Sequence, residues 1–217
     1  MPRGPTEGPV VVFGASGRLG SLVVQEAIRR GEKVRAFKRG AKAIGRQHER
    51  HQVVEGSLDD LSQVRAAIAG ASAVIVVLGP RSENQVPFTA RATANILRAM
   101  AEAGVTRIVC VTGAMVGEGY PNRGGFYRRM RAKHAKRAPD LARDRDEQER
   151  ILKESPLDWT VVKPPRLTDG ERRGSVRTGP DLPIGMTAKV SRADLASFLL
   201  DEAANREFVR RCVFIAY

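Results

Sequence analysis

Three glycines spaced three residues apart, Gly14, Gly17 and Gly20, stand directly behind the apolar run Val10-Val11-Val12-Phe13 and open a segment with helical spacing. A strand that turns sharply into a helix on such glycines makes an anion cradle. Gly14 permits the tight turn, Gly17 lets the backbone approach a pyrophosphate without an intervening Cβ, and Gly20 allows the helix to pack closely on the strand. The helix N-terminus then presents unpaired N–H groups and a partial positive charge to the phosphates. Ser16 can add a hydroxyl donor. The candidate phosphate-binding residues are therefore Gly14, Ser16, Gly17, Arg18, Leu19 and Gly20. The strand before and the helix after the turn point to a dinucleotide rather than to a bare tight turn.

The end of the following strand selects between dinucleotides. An acid there ordinarily holds the ribose 2′-hydroxyl of NAD, whereas this chain reads Arg35-Ala36-Phe37-Lys38-Arg39 with no acid. A guanidinium at Arg39 attracts a 2′-phosphate and offers it forked hydrogen bonds. The expected cofactor is NADP(H) in preference to NAD(H), with Lys38 and Arg39 as candidate contacts. For Lys38 taken by itself, solvation at the surface is the simpler account.

Short β-branched runs alternate with longer segments of helical period, and these elements must position the turn. The expected strands are 10–13, 33–37, 52–55, 73–78, 107–112, 159–163 and 213–215. The expected helices include 19–30, 58–69, 89–103 and 194–204, each with apolar residues on one face, and Ser191 can cap the last of them. Fully apolar short strands between helices imply a parallel sheet covered on both faces. The expected fold is α/β, a doubly wound Rossmann fold with a mostly parallel central sheet of about seven strands. Residues 1–217 read as one domain with a flexible arm over 1–9. The irregular stretches 79–87, 117–125 and 168–184 fall where loops at strand ends build a site.

Composition narrows the class. The chain has 217 residues, 42% hydrophobic and 28% charged, as a folded domain has. No apolar run is long enough for a membrane span, and the first residues lack a signal-type apolar stretch, so a cytoplasmic protein is expected. Cys110 and Cys212 sit in apolar runs and read as core residues, and the three histidines are scattered without ligand spacing, so no metal is expected. The net charge of +13 is spread over both halves apart from one cluster, Arg128, Arg129, Arg131, Lys133, Lys136 and Arg137. A solvated helix face accounts for that cluster, and no specific nucleic-acid partner is expected, although a nucleic-acid-associated protein stays open on charge alone.

With these motifs in place the chain resembles the extended and atypical short-chain dehydrogenases/reductases. Within them it is most similar to the NAD(P)-binding group of NmrA-like and flavin reductase/biliverdin-IXβ reductase proteins. The Gly14/Gly17/Gly20 spacing carries this resemblance together with three further segments. Val53-Val54-Glu55-Gly56-Ser57-Leu58-Asp59-Asp60 is similar to the group's G-D-L-x-D. The stretch 155–170, with Leu157-Asp158-Trp159-Thr160 and Leu167-Thr168-Asp169-Gly170, is similar to S-x-L-D-W-T-I-V-R-P-x-x-L-T-D-G. Val190-Ser191-Arg192-Ala193-Asp194-Leu195-Ala196 is similar to I-S-R-A-D-L-A. The resemblance implies that Ser57 and Leu58 lie by the adenine, with Ser57 departing from the usual Asp. It implies that Leu78 and Gly79 line the cofactor, and that Thr112 and Gly113 lie near the nicotinamide. Pro164, Pro165 and Arg166 would flank the nicotinamide side of the cleft, with substrate-side elements mainly in 113–145 and 164–190.

The catalytic group is less legible. Short-chain dehydrogenases use a Tyr-x-x-x-Lys pair for proton transfer. Aligning on Glu149 places Leu141 at the tyrosine and Arg145 at the lysine, and Leu141 cannot move a proton. Tyr127-x-x-x-Arg131 is a second arrangement, with Ala114 where a serine would help. The candidate catalytic residues are thus Thr112, Arg145 and Tyr127. Arg145 could anchor an acidic substrate, or could form a surface ion pair with Glu149 at i,i+4 spacing. The leading expectation is an NADPH-dependent oxidoreductase acting on a small flavin-like or quinone-like molecule, as a monomer or homodimer. The missing tyrosine keeps a non-catalytic NADP(H)-sensing regulator of NmrA-like type open beside it.

Overall fold

Val10–Phe13 is apolar at every position because it is covered on both sides. It forms β1, and all four residues are buried. The computed structural model describes residues 8–39, 50–80, 86–117 and 120–217. The chain runs β1 (Val10–Phe13), α1 (Arg18–Arg29), β2 (Val34–Lys38), β3 (His51–Glu55), α2 (Leu61–Ile68), β4 (Ala73–Val76), α3 (Thr89–Ala103) and β5 (Arg107–Val111). It continues through α4 (Gly125–Arg137), α5 (Pro139–Glu154), β6 (Asp158–Lys163), β7 (Arg166–Thr168), β8 (Arg177–Gly179), β9 (Lys189–Ser191), α6 (Arg192–Asn205) and β10 (Arg211–Ala216).

Eight strands form one sheet in the order β3-β2-β1-β4-β5-β6-β10-β8, and β7 pairs with β9 in a separate two-stranded sheet. Every pairing in the large sheet is parallel except β8 with β10. The order reverses between β1 and β4, which sends successive crossovers to opposite faces and opens a crevice at their carboxyl ends. Alternate strand residues divide accordingly. Val11, Phe13, Val74, Val76, Ile108 and Cys110 pack under Val64, Ile96, Met100 and Leu152 of α2, α3 and α5. Val10, Val12, Ile75, Val109 and Val111 pack under Val23, Ala27, Leu195 and Leu199 of α1 and α6. The expected doubly wound Rossmann architecture is present.

The sheet has one strand more than expected. Arg177–Gly179 adds antiparallel to β10 at the edge, where Thr178 meets Ile215. Its side chains carry no apolar alternation, so pairing rather than pattern makes it a strand. Ser191 caps α6 as expected, accepting from the Asp194 amide at 3.0 Å. Residues 1–7 of the expected arm and His48 lie outside the described residues. Among the described residues no helix is long and apolar enough to cross a membrane, and no three His, Cys, Asp or Glu side chains converge as a metal would require.

Candidate cofactor and active site

The glycine turn is built to leave backbone bare. Gly14 has φ +91°, a conformation that L side chains rarely adopt, and a Cβ on it would stand 2.7 Å from the Val77 carbonyl oxygen. A Cβ on Gly20 would stand 2.2 Å from the Gly14 carbonyl oxygen, so Gly20 sets how closely α1 approaches β1. Gly17 is the N-cap of α1 and offers no capping side chain, and the first turn of α1 contains no acid. Its amide closes the turn on Gly14 O at 2.9 Å. The N–H groups of the first helical turn and the positive end of the α1 dipole therefore face the crevice.

A cavity of about 490 Å³ opens there, within the size range of small-molecule sites. Gly14, Ser16, Gly17, Arg18, Leu19, Lys38, Arg39, Leu58, Leu78 and Gly79 all line it, joined by Phe37, Val77, Pro80 and Phe88. Ten of the expected contacts thus converge on one space. Gly20 lies behind the cavity as a packing residue. Ser57 is also outside the lining, and its hydroxyl accepts from the Asp59 amide at 3.2 Å, which spends it on the local turn.

The two cations after β2 differ in kind. Lys38 is buried and pairs with Glu55 at 2.7 Å, which corrects its reading as a solvated surface lysine. The Arg39 guanidinium is exposed, lies over the Phe88 ring at 5.7 Å from its centroid, and has no carboxylate partner among the described residues. Phe88 is fixed in turn by Asp144 of α5, whose carboxylate accepts from the amides of Phe88, Thr89 and Ala90 at 3.2, 2.9 and 3.0 Å and so caps α3 from another helix. At the turn's other side, Asp169 pairs with Arg192 at 2.5 Å and lies 3.6 Å from Arg18. The Leu167–Gly170 and Val190–Ala196 segments thus meet each other beside the glycine turn.

Thr112, Gly113, Pro164 and Pro165 form a ledge one strand beyond the cavity. Thr112 N donates to Val162 O at 3.0 Å and Ala114 N to Pro164 O at 2.9 Å, which joins the carboxyl ends of β5 and β6. Arg145 ties this ledge to the cavity wall. It donates to the carbonyl of Leu78 at 2.8 Å, to that of Thr112, and to Gln148 Oε1 at 2.7 Å. The expected Arg145–Glu149 surface pair is absent, because Glu149 is buried and faces Lys163. Arg145 thus spends its donors on strand-end carbonyls and is a scaffold for the ledge. Tyr127 is buried with Ala114, Ile184 and Phe214, and burial pushes its phenol up. Its expected partner Arg131 pairs with Asp146 at 2.7 Å, and Arg166 is a cation that acts on the Tyr127 phenol.

What the residue pattern did not reveal is a charged cluster beneath the ledge. Lys163 Nζ, fully buried, lies 2.5 Å from Glu149 Oε2, 2.8 Å from the Val116 carbonyl and 3.4 Å from Thr112 Oγ1. Thr112 Oγ1 donates to Glu149 Oε2 at 3.0 Å. The Tyr120 hydroxyl meets Glu149 Oε1 and lies 3.1 Å from Cys212 Sγ. Burial pulls the Lys163 ammonium down to about 8 against the opposing pull of Glu149. Burial pushes the Glu149 carboxyl up, but Lys163, Tyr120 and Thr112 outweigh it and hold the carboxyl below the ordinary range. Burial, reinforced by Glu149, raises the Tyr120 phenol. The one available signal was a lysine closing the otherwise apolar core of β6.

A family model described as NAD(P)H-binding matches residues 14–206. Cinnamoyl-CoA reductase 1 of Oryza sativa is 34% identical over 110 residues, 46% of this chain and 32% of that protein, and a second plant relative is matched over 24% of its length. The chain thus spans about a third or less of these curated relatives. A solved protein of Burkholderia pseudomallei, described as exported, superposes with a TM-score of 0.78 at 28% identity over 97% of this chain and all of the other. A short-chain dehydrogenase/reductase of Veillonella parvula in complex with NADP superposes with a TM-score of 0.78 at 17% identity over 97% and 94% of the two chains, a likeness of fold.

Proposed function

The chain belongs to the NAD(P)H-binding family, and on that premise we propose that it is an NADPH-dependent reductase of the atypical short-chain type that transfers a hydride to a small flavin-like or quinone-like acceptor. One observation carries this reading. The cavity at the glycine turn combines bare backbone, where a Cβ would collide, with the Arg39 cation that no carboxylate neutralises among the described residues.

The residues fit the parts of the cofactor. Gly14, Ser16, Gly17, Arg18 and Leu19 would hold the pyrophosphate, Leu58 and Phe37 the adenine, and Arg39 the 2′-phosphate. Leu78 and Gly79 lead from there to Thr112, Gly113, Pro164 and Pro165 on the nicotinamide side, with the acceptor between segments 113–145 and 164–190. When bound, the reduced nicotinamide supplies the hydride. The chain's own work is to orient it and exclude water. The NADP complex of the Veillonella parvula neighbour supports the choice of cofactor.

The test is a thermal-shift comparison followed by turnover. NADPH is expected to raise the melting temperature more than NADH, and Arg39→Ala to abolish the difference. NADPH oxidation is then followed with FMN and with menadione as acceptors. Equal stabilisation by both cofactors would remove the Arg39 assignment. Tight NADPH binding without turnover across a broad acceptor panel would favour a cofactor-sensing role.

A further inference from the structure

Position 141 is leucine and Arg131 is paired with Asp146 at 2.7 Å, so neither expected tyrosine–cation pair supplies the proton of the proposed reduction. Reduction of a flavin-like or quinone-like acceptor consumes one hydride and one proton. The cluster beneath the ledge is the place on this chain where proton donors are stacked against a site residue. It draws Thr112 from the end of β5, Tyr120 from the loop between β5 and α4, Glu149 from α5 and Lys163 from β6. Thr112 is the member of the cluster that belongs to the ledge. The residue is 6% exposed at the strand end, whereas Lys163 is 0% exposed, and Thr112 Oγ1 is the atom that touches both Lys163 and Glu149. On the far side, the partly exposed Tyr120 reaches Glu149 and connects the cluster toward solvent.

We propose that Lys163, Glu149 and Tyr120 form a proton-supply network that delivers through the Thr112 hydroxyl, in place of a Tyr-x-x-x-Lys pair. The proposal rests on the reductase reading above. Thr112 is the residue that meets the acceptor, and the other three act through it. As the acceptor takes a hydride, the Thr112 hydroxyl would turn from Glu149 toward it, the O–H bond would break to the acceptor and an N–H bond of Lys163 would break to refill the hydroxyl. The cluster is left with a neutral amine beside the Glu149 carboxylate. A proton from water, entering past Tyr120, restores the ammonium. No electrons beyond the hydride pair move. Cys212 and Arg123 also face the Lys163 ammonium, Asp146 lies nearby, and Lys153 lies over the outer ring of Tyr120. A lysine suits the role because it can release a proton in this setting, which arginine cannot.

Lys163→Arg keeps the charge and removes the titration, and Thr112→Val removes the outlet. Single-turnover reduction of FMN and menadione by NADPH is followed from pH 6 to 10. In the unaltered protein the rate is expected to fall above about pH 8. Both variants are expected to lose roughly 100-fold or more at pH 7, the lower range for a positioned acid, with NADPH affinity within about twofold and a smaller solvent isotope effect. A second readout needs no cofactor. Between about pH 8 and the ordinary lysine value of 10.5, the unfolded chain binds a proton that folded Lys163 has lost, so the melting temperature of the unliganded protein gains a rising component with pH. Lys163→Arg is expected to remove that component. A Lys163→Arg protein with the original rate, pH profile and melting curve overturns the network while leaving the reductase reading intact. Failure of the unaltered protein to bind NADPH or to reduce either acceptor overturns both.

Discussion

Gly20→Ala isolates the packing on which the glycine turn depends. The added Cβ would stand 2.2 Å from Gly14 O, 2.7 Å from Gly14 C and 2.8 Å from Ala15 Cα, all backbone atoms of the same turn. No flexible side chain can swing aside, so α1 must move off β1 by about 1 Å to reach ordinary contact. Overpacking of this kind costs about 3 kcal/mol, and alanine returns about 1 kcal/mol of helix propensity. The net loss is about 2 kcal/mol, or roughly 4–8 °C in melting temperature for a chain of this length. The shift also displaces the N–H groups that face the phosphates, so stabilisation by NADPH should vanish. Gly70→Ala is the control. Gly70 has φ +68° but open space around its Cβ position, so the substitution costs about 1 kcal/mol of backbone strain and should leave NADPH stabilisation intact. Differential scanning fluorimetry of both variants, with and without NADPH, reads both effects. A Gly20→Ala protein that melts like the parent and still responds to NADPH would show that the close approach of α1 to β1 does not set the turn.

Glu202→Ala should destabilise strongly, because it strands the fully buried Arg107 guanidinium, which donates to Glu202 Oε1 at 2.6 Å and to Thr160 Oγ1 at 2.9 Å. Removing one partner of such a pair costs about 3–5 kcal/mol, measurable as a drop in urea midpoint, and a drop under 1 kcal/mol would contradict it. Glu26 is held at about 2 by its hydrogen bonds to Arg29 and then Arg30 against a burial effect that raises it. Its stabilising contribution is complete above about pH 4.5 and is lost as pH falls toward 2, so Glu26→Gln should flatten urea stability between pH 5 and 3. An unchanged acid limb would show that the Arg29 and Arg30 contacts carry no weight.

The sheet and the cofactor crevice were legible because their signals are local. Val10–Phe13, the three glycines and Arg39 lie within thirty residues, and strand burial writes itself as uninterrupted β-branched runs. The edge strand Arg177–Gly179 was not legible, since its pairing partner Ile215 and not its own side chains makes it a strand. Arg145 was misread for a related reason. Helical spacing offered Glu149 as a partner, whereas the strand-end carbonyls of Leu78 and Thr112 come from elements far away in the chain. The Lys163 cluster failed to declare itself in the same way. Thr112, Tyr120, Glu149 and Lys163 sit on four separate segments, and no spacing rule links side chains that only the closed sheet brings together.

Titration of the unaltered protein with NADPH, followed by melting temperature, reads whether the glycine-turn crevice holds the cofactor. At a hundred times the dissociation constant a single site adds about 2.7 kcal/mol, which for this chain length is about 5–10 °C. The glycine-turn crevice predicts that rise, larger for NADPH than for NADH and absent in Gly20→Ala. A melting temperature unmoved by millimolar NADPH would contradict it.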